Sequence, residues 1–199
     1  MEKPGVIRDL SKAGIRRGML AKRQALSIAE VEERSRAIHQ LLCRLNAYRR
    51  ADSLWTYVSS KPGEVDTRAL IEPALARHQL VACPAVLPGG LLVWRIIAQL
   101  TELVPGAYGI SEPPPDSNPA PAATPSTVVL VPGLAFTSGR HRLGYGRGYF
   151  DRFLKDFPGI SIGLCYDFQI IPVLPVEPHD VALDYVVSET EVFASSEKR

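Results

Sequence analysis

The chain reads as a mixed α/β protein, a three-layer α/β/α sandwich built on a mostly parallel sheet. Two features predict this. Apolar runs of strand length alternate with stretches of helical periodicity, the order that lays helices on both faces of a parallel sheet. One of those runs, Val128 to Val131, opens into a Gly- and Arg-rich segment that leads into a helix, and open α/β sheets hold ligands beyond the carboxyl ends of their strands. At 199 residues, 46% hydrophobic and 22% charged, the chain can bury one sizeable core, so a single domain over 1–199 is expected.

Residues 9–26 set Leu10, Ile15, Met19, Leu20 and Leu26 among Lys12, Arg16, Arg17, Lys22 and Arg23, a basic amphipathic pattern that predicts a short helix interrupted by Gly14. Lys12 and Arg16, four residues apart, share one face of it. Ser27 and Glu30 form a capping box for a second helix, with Val31, Ile38, Leu41, Leu42 and Leu45 on one side and an end near Asn46. His39, one step off that stripe, reads as structural. Leu54 to Val58 is a strand, and Asp66 or Thr67 caps a helix through Leu75. The loop between them carries Glu64, a carboxylate at a strand's carboxyl end. Val81 to Val86 and Leu91 to Ile97, parted by Pro88, Gly89 and Gly90, predict an antiparallel hairpin whose Trp94 could line a ligand pocket but is expected to pack in the core.

Proline density makes 105–127 a loop or linker, most marked from about 113 to 127. The buried strand Val128 to Val131 is stopped by Pro132 and Gly133. Phe150, Phe153, Leu154 and Phe157 then recur at helical spacing until Pro158 and Gly159 end the helix. Ile160 to Cys165 and Leu183 to Val187 are the last two strands, and Pro172, Pro175 and Pro178 exclude a long helix between them. From about 195 a polar, frayed end is expected.

Between Val131 and Phe150 the glycines at 139, 144, 146 and 148 are interleaved with Arg140, Arg142 and Arg147. Glycine lets a backbone turn its N–H groups onto a ligand, and a helix start adds about half a positive charge. Strand, loop and helix start together suit an anion, most simply phosphate. The loop is neither of two common phosphate patterns. Gly139 and Gly144 have the spacing of a P-loop, but Tyr145 and Gly146 stand where Lys and Ser or Thr are required; Gly144 and Gly146 open a dinucleotide fingerprint whose third glycine is Tyr149. On these residues alone, a plain strand-to-helix turn with solvated arginines stays open. His179, Asp180 and Asp184 lack the second His of a common transition-metal set, and their oxygens suit magnesium better.

A formal charge of +2 is too mild to point to nucleic acid. No apolar run approaches the roughly 20 residues of a membrane span, and the N-terminus carries no signal-peptide core, so a cytoplasmic location is the expectation. Cys43, Cys83 and Cys165 are odd in number and widely spaced, which argues against a disulfide framework or a zinc site.

The run VPGLAFTSGRHRLGYGRGYFD, Val131 to Asp151, resembles the signature of the 5-formyltetrahydrofolate cyclo-ligase family, also called methenyltetrahydrofolate synthetases. The likeness extends through Lys12 and Arg16, YVSSKPGEVDT at 57–67, YGISEP at 108–113 and HDVALDYVV at 179–187. It implies a Rossmann-like sheet and ATP-dependent conversion of 5-formyltetrahydrofolate to 5,10-methenyltetrahydrofolate, with ADP and phosphate released. ATP would phosphorylate the formyl oxygen, the folate's second nitrogen would attack the activated carbon, and no enzyme nucleophile is required. By resemblance, ATP is assigned to Lys12, Arg16, Arg142, Gly144, Tyr145, Gly146, Arg147, Gly148, Tyr149 and Phe150. The reduced folate is assigned to Val58, Glu64 and the loop residues from Tyr145 to Tyr149, and magnesium to Asp151 and Asp184 jointly. Two positions depart from the family pattern: Thr137 replaces the usual Asp, and Arg147 the usual Lys or Gly. They leave room for a folate- or nucleotide-binding homologue without turnover, and similar architecture leaves room for a sugar-phosphate isomerase.

Overall fold

In the computed structural model, which describes residues 9–195, helix α1 (Lys12–Gln24) begins where the Ser11 side chain accepts from the Gly14 amide. Gly14 is accommodated inside this helix, and Ile15 and Met19 are its buried face. The reciprocal capping box of Ser27 and Glu30 is present and starts α2 (Ile28–Leu42). That helix ends at Leu42, short of the expected Asn46, because Leu45 turns extended and opens the single turn α3 (Asn46–Arg49).

Strand β1 (Ser53–Thr56) leads to α4 (Arg68–Ala76). Thr67 stands at the cap position but makes no cap bond; Asp66 does that work, its Oδ1 accepting from the Arg68 amide at 2.9 Å. Strands β2 (Leu80–Val86) and β3 (Leu92–Ile97) form the expected antiparallel hairpin. The following segment contains a small hairpin, β4 (Val104–Pro105) with β5 (Ser111–Glu112). The proline-rich stretch after it is pinned along the open edge of β3, with Ile96 N–H donating to Asn118 O and Ala120 N–H to Trp94 O, each at 2.9 Å.

Next come β6 (Thr127–Val131) and the hairpin of β7 (Ala135–Phe136) with β8 (Arg142–Leu143), which lies inside the Gly- and Arg-rich segment. Helix α5 (Tyr149–Leu154) is six residues long and stops before the expected Phe157. Strands β9 (Ile160–Leu164) and β10 (Tyr185–Val187) follow, and a further strand, β11 (Val192–Ala194), succeeds the one expected to be last. Residues 196–199, where most of the expected fraying falls, lie outside the described residues.

The main sheet has seven strands in the order β11-β10-β9-β6-β1-β2-β3. The five inner strands are parallel, and β3 and β11 close the two edges antiparallel. From β1 the chain winds outward through β2 to β3, then returns to β6 on the other side of β1 and winds the opposite way through β9. The strand order therefore reverses between β1 and β6, and at such a reversal the loops part beyond the carboxyl ends and leave a crevice.

Alternate strand residues face opposite layers. Leu54, Val81, Val128, Leu130 and Ile162 pack with Ile38 and Leu42 of α2 and Leu70, Ile71 and Ala74 of α4. Trp55, Ala82, Val129 and Val131 turn the other way, towards Leu154 of α5. There Trp55, Trp94, Phe153 and Phe157 form a ring cluster with centroids 5.0–6.0 Å apart, so Trp94 is core, as expected. A third cluster seats α1: Ile15 and Met19 pack on Leu134, Ala135 and Leu143 of the β7–β8 hairpin. This last contact carries the N-terminal helix to the mouth of the crevice.

Candidate functional site

A cleft of about 600 Å³ opens at the reversal point, floored by Tyr57 and Val58 after β1 and Pro132 after β6. Lys12 and Arg16 reach it from α1, and the segment from Arg142 to Asp151 forms one wall. Every residue singled out in the sequence as a ligand contact lines this one cleft, with the exception of Asp184. Its lining is mixed in chemistry. One end gathers Lys12, Arg142 and Arg16, which meet around Asp180 and Gly144, with Arg147 set apart against the Tyr108 ring, whereas Pro84, Val86 and Leu92 of the β2–β3 hairpin and Ile110 make the lining apolar elsewhere.

At the cationic end, Arg16 Nε donates to Gly144 O at 3.0 Å and so ties α1 to the glycine segment. Gly146 has φ +103, a backbone conformation that favours glycine, and a Cβ there would lie 3.2 Å from the Arg16 guanidinium carbon and press on that side chain. Arg142 is buried and pairs with Asp151 at 3.0 Å; burial pulls its pKa below the usual value against the fields of Asp151 and Asp180. Lys12 bridges Glu177 and Asp180, each at 3.1 Å. Burial works against its charge, but the bonds to Asp180 and Glu177 outweigh that and raise its pKa. With α5 only six residues long, the cations carry more of the attraction for an anion than the sequence reading gave them.

Glu64 ties the loop after β1 to the glycine segment. Its Oε2 accepts from the amides of Ser60 and Lys61 at 2.9 and 3.0 Å, and its Oε1 from the Tyr145 hydroxyl at 3.0 Å. The hydroxyl is held as a donor: burial, then the Glu64 carboxylate, push the Tyr145 pKa well up. Behind both lies Arg23, whose side chain is only 2% exposed. It donates to Gly63 O at 2.9 Å, Pro62 O at 3.1 Å and the Tyr145 hydroxyl at 2.8 Å, and lies 3.5 Å from Glu64 Oε1. Sequence reasoning left Arg23 among the surface bases of α1. The spacing held a signal, because Arg23 follows the buried Ile15 and Met19 by eight and four residues and so belongs to their stripe.

A strap closes over this wall. Tyr108, between β4 and β5, has φ +58; its hydroxyl lies 3.2 Å from that of Tyr149, its ring 5.4 Å from the Arg147 guanidinium, and its carbonyl accepts from Lys61.

Two expectations need correction. Asp184 does not join Asp151. It precedes β10 at the amino end of that parallel strand, away from the crevice, and its Oδ2 accepts from the Ser161 amide at 2.8 Å and hydroxyl at 3.1 Å. Arg140 also leaves the anion loop: it donates to Leu183 O at 2.9 Å and to Ala194 O, fastening the hairpin to β10 and β11. The acidic oxygens that do share the cationic end with Asp151 are Glu177 and Asp180, whose ligand atoms lie with those of His179 inside a 4.8 Å group. Hard oxygen donors of this kind suit magnesium. The thiols Cys83 and Cys165 are buried, and burial pushes the Cys83 pKa up to about 12, as inert core residues.

Residues 8–189 match the model of the 5-formyltetrahydrofolate cyclo-ligase family. The 5-formyltetrahydrofolate cyclo-ligase of Mycolicibacterium smegmatis is 31% identical over 189 residues, covering 89% of this chain and 93% of the relative. A probable 5-formyltetrahydrofolate cyclo-ligase of Caenorhabditis elegans is 30% identical over 90% of this chain and 93% of its own. Among solved structures, the 5,10-methenyltetrahydrofolate synthetase of Aquifex aeolicus superposes with a TM-score of 0.81 at 29% identity, covering 94% of each chain. The enzyme of that name from Mycoplasma pneumoniae, at 23% identity and a TM-score of 0.69 over 89% of this chain, shares the fold.

Proposed function

The chain belongs to the 5-formyltetrahydrofolate cyclo-ligase family, and from that premise we propose how its cleft converts 5-formyltetrahydrofolate to 5,10-methenyltetrahydrofolate at the expense of ATP. The observation that carries the reading is the make-up of the cleft at the reversal point: a cluster of cations and a glycine segment, an apolar patch, and Glu64 bonded to Tyr145 of that glycine segment, all lining one cavity.

The triphosphate belongs at the cationic end, met by Lys12, Arg16, Arg142 and Arg147 and by the amides from Gly144 to Gly148, with Tyr149 and Phe150 closing the wall. The reduced folate belongs over Val58, with Glu64 holding the formyl-bearing ring against the loop from Tyr145 to Tyr149. In this order the γ-phosphorus faces the formyl oxygen. A P–O bond to that oxygen forms as the bond to the β-phosphate oxygen breaks, releasing ADP. The folate's second nitrogen then attacks the activated carbon and loses its proton, and the C–O bond breaks as phosphate departs. No covalent enzyme intermediate is needed, so positioning and charge stabilisation carry the catalysis.

Magnesium would neutralise charge on the triphosphate, and Asp151 with Asp180 and Glu177 would hold it. In the free protein these carboxylates are paired with Arg142 and Lys12. An arriving phosphate takes over those two cations, which frees the carboxylates for a metal; the site exchanges ion partners and leaves no charge bare.

The test is direct. The protein is incubated with Mg-ATP and 5-formyltetrahydrofolate while methenyl absorbance and ADP are followed together. Equal amounts of both products are expected, and binding of both substrates without turnover would reject the reading.

A further inference from the structure

Among the described residues, every carboxylate that lines the cleft lies within 4 Å of a Lys or Arg, with a single exception. Glu64 has Arg23, Asp151 has Arg142, and Asp180 and Glu177 share Lys12. Glu112 has none, and the mechanism above does not use it. It is 9% exposed and stands at the apolar end with Pro84, Val86, Leu92 and Ile110. Its Oε2 faces the Val86 amide across a long 3.5 Å. Burial raises its pKa, against the pull of the Val86 and Ala107 amides. The backbone fixes it in place: a Cβ on Gly106 would come 2.4 Å from the Glu112 carboxyl carbon, so the chain passes directly against the side chain. A buried, weakly bonded carboxylate is costly to keep unless something arrives to bond it.

We propose that Glu112 is the specificity residue for the substrate's ring, its two carboxylate oxygens accepting from the 2-amino group and the adjacent ring N–H of the pterin. The inference rests on the cyclo-ligase reading and deepens it. The formyl group is carried on the pterin and must meet the γ-phosphate. The ring bordering the phosphate end on the Glu64 side is therefore the pterin, while the adenosine lies beyond the α-phosphate. A pterin presents two neighbouring N–H donors along its aminopyrimidinone edge, which match a carboxylate as a guanidinium does. Adenine presents a donor beside an acceptor, so one carboxylate oxygen would face a lone pair. The same group thus accepts the folate and turns away the other flat ring that the reaction supplies. A site built to bond an N–H rejects the analogue that lacks it, because the buried acceptor is then left unpaired.

The experiment crosses Glu112→Gln with a 5-formyltetrahydrofolate analogue that lacks the 2-amino group, reading calorimetric affinity as well as KM. The parent should bind the analogue about 10- to 100-fold more weakly than the natural folate, the cost of one buried acceptor left unpaired. Glu112→Gln should weaken the natural folate by a similar factor, lose the discrimination between the two folates, and leave the ATP KM within about 2-fold. Three outcomes overturn the proposal: a parent that binds both folates equally, a variant that discriminates as strongly as the parent, or an ATP KM that rises in place of the folate KM. The first needs no variant and stands even if Glu112→Gln does not fold. Calorimetry reads folate binding without turnover, so failure of the catalytic reading is seen separately, as absence of methenyl product from the parent.

Discussion

Replacing Arg23 with Met tests whether a buried guanidinium organises the substrate loop. The four groups around it are the carbonyls of Pro62 and Gly63, the Tyr145 hydroxyl and, at 3.5 Å, the Glu64 carboxylate. Methionine keeps much of the apolar stem and removes the charge. Deleting one partner of a buried ion pair costs about 3–5 kcal/mol, because the other charge stays behind. Glu64 still has the Tyr145 hydroxyl and two backbone amides, which places Arg23→Met at the low end, about 3 kcal/mol. For a chain of 199 residues that corresponds to a fall in Tm of about 6–12 °C. The variant should also show a raised KM for the folate with the nucleotide KM little changed, since Arg16 and Arg142 are untouched. Arg23→Lys should recover part of the stability but not the loop, because an ammonium lacks the planar fork that meets four groups at once. A Tm within about 2 °C of the parent together with an unchanged folate KM would refute the reasoning.

Gly146→Val must take φ +103 and place its Cβ 3.2 Å from the Arg16 guanidinium carbon, a strain of about 1–3 kcal/mol; ATP KM should rise at least tenfold while the circular dichroism spectrum is kept, and a lost fold would make the glycine structural. Asp151→Asn should weaken the magnesium dependence of activity, whereas Asp184→Asn should keep it and lose about 1–2 kcal/mol in urea denaturation through its bonds to Ser161; the reverse pattern would restore Asp184 to the metal site. Burial raises the folded-state pKa of Glu112, so its ionised form costs stability at pH values above its ordinary 4.5, and that cost disappears as pH falls below it. Ligand-free Glu112→Gln should therefore be more stable than the parent at pH 8 and converge with it towards pH 4, and a gap independent of pH would sink the argument.

The parts of this protein that could be read from its sequence are those whose causes are local. The capping box of Ser27 and Glu30, the hairpin around Gly89 and Gly90, and the strand ending at Pro132 each depend on neighbours within a few residues, and each is where it was expected. Helix ends were less legible: Leu45 and Phe157 fit the period of the preceding helix, yet the chain turns before them because packing overrides periodicity. The three-residue β11 gave no pattern long enough to see, since its pairing with β10 is what makes it a strand. In the site, motif residues were legible by type and spacing. Arg23 was not, and Glu112 was legible only as part of the YGISEP motif with no role of its own, because their importance comes from burial and from partners about 40 and 26 residues away, on Gly63 and Val86. Asp184 was misplaced for the converse reason: a motif assigns a residue's type, and only the register of β10 on β9 decides which end of the sheet it occupies.

The two departures from the family pattern can be weighed by the same test of place. Thr137 does not line the cleft. It closes the turn between β7 and β8, with its amide donating to His141 O at 3.0 Å and its carbonyl accepting from Arg140 at 2.9 Å, while its hydroxyl accepts from the His141 amide at 3.3 Å. A short side chain that accepts from the backbone two or more residues on is what such a turn needs, and Thr, like Asp, can provide it. Its exchange for Asp therefore acts on the turn and not on a ligand. Arg147 does line the cleft, and it keeps the cation there while laying its guanidinium 5.4 Å from the Tyr108 ring. Lysine would supply a point charge and glycine none, whereas arginine adds a planar face that stacks on the strap and leaves its fork for phosphate oxygens. Arg147 thus joins the strap to the glycine segment. Arg147→Lys should keep the charge and lose the stack, raising the ATP KM by a small factor; an ATP KM equal to the parent's would reduce the arginine to a neutral exchange. Neither departure removes a group that the phosphoryl step requires.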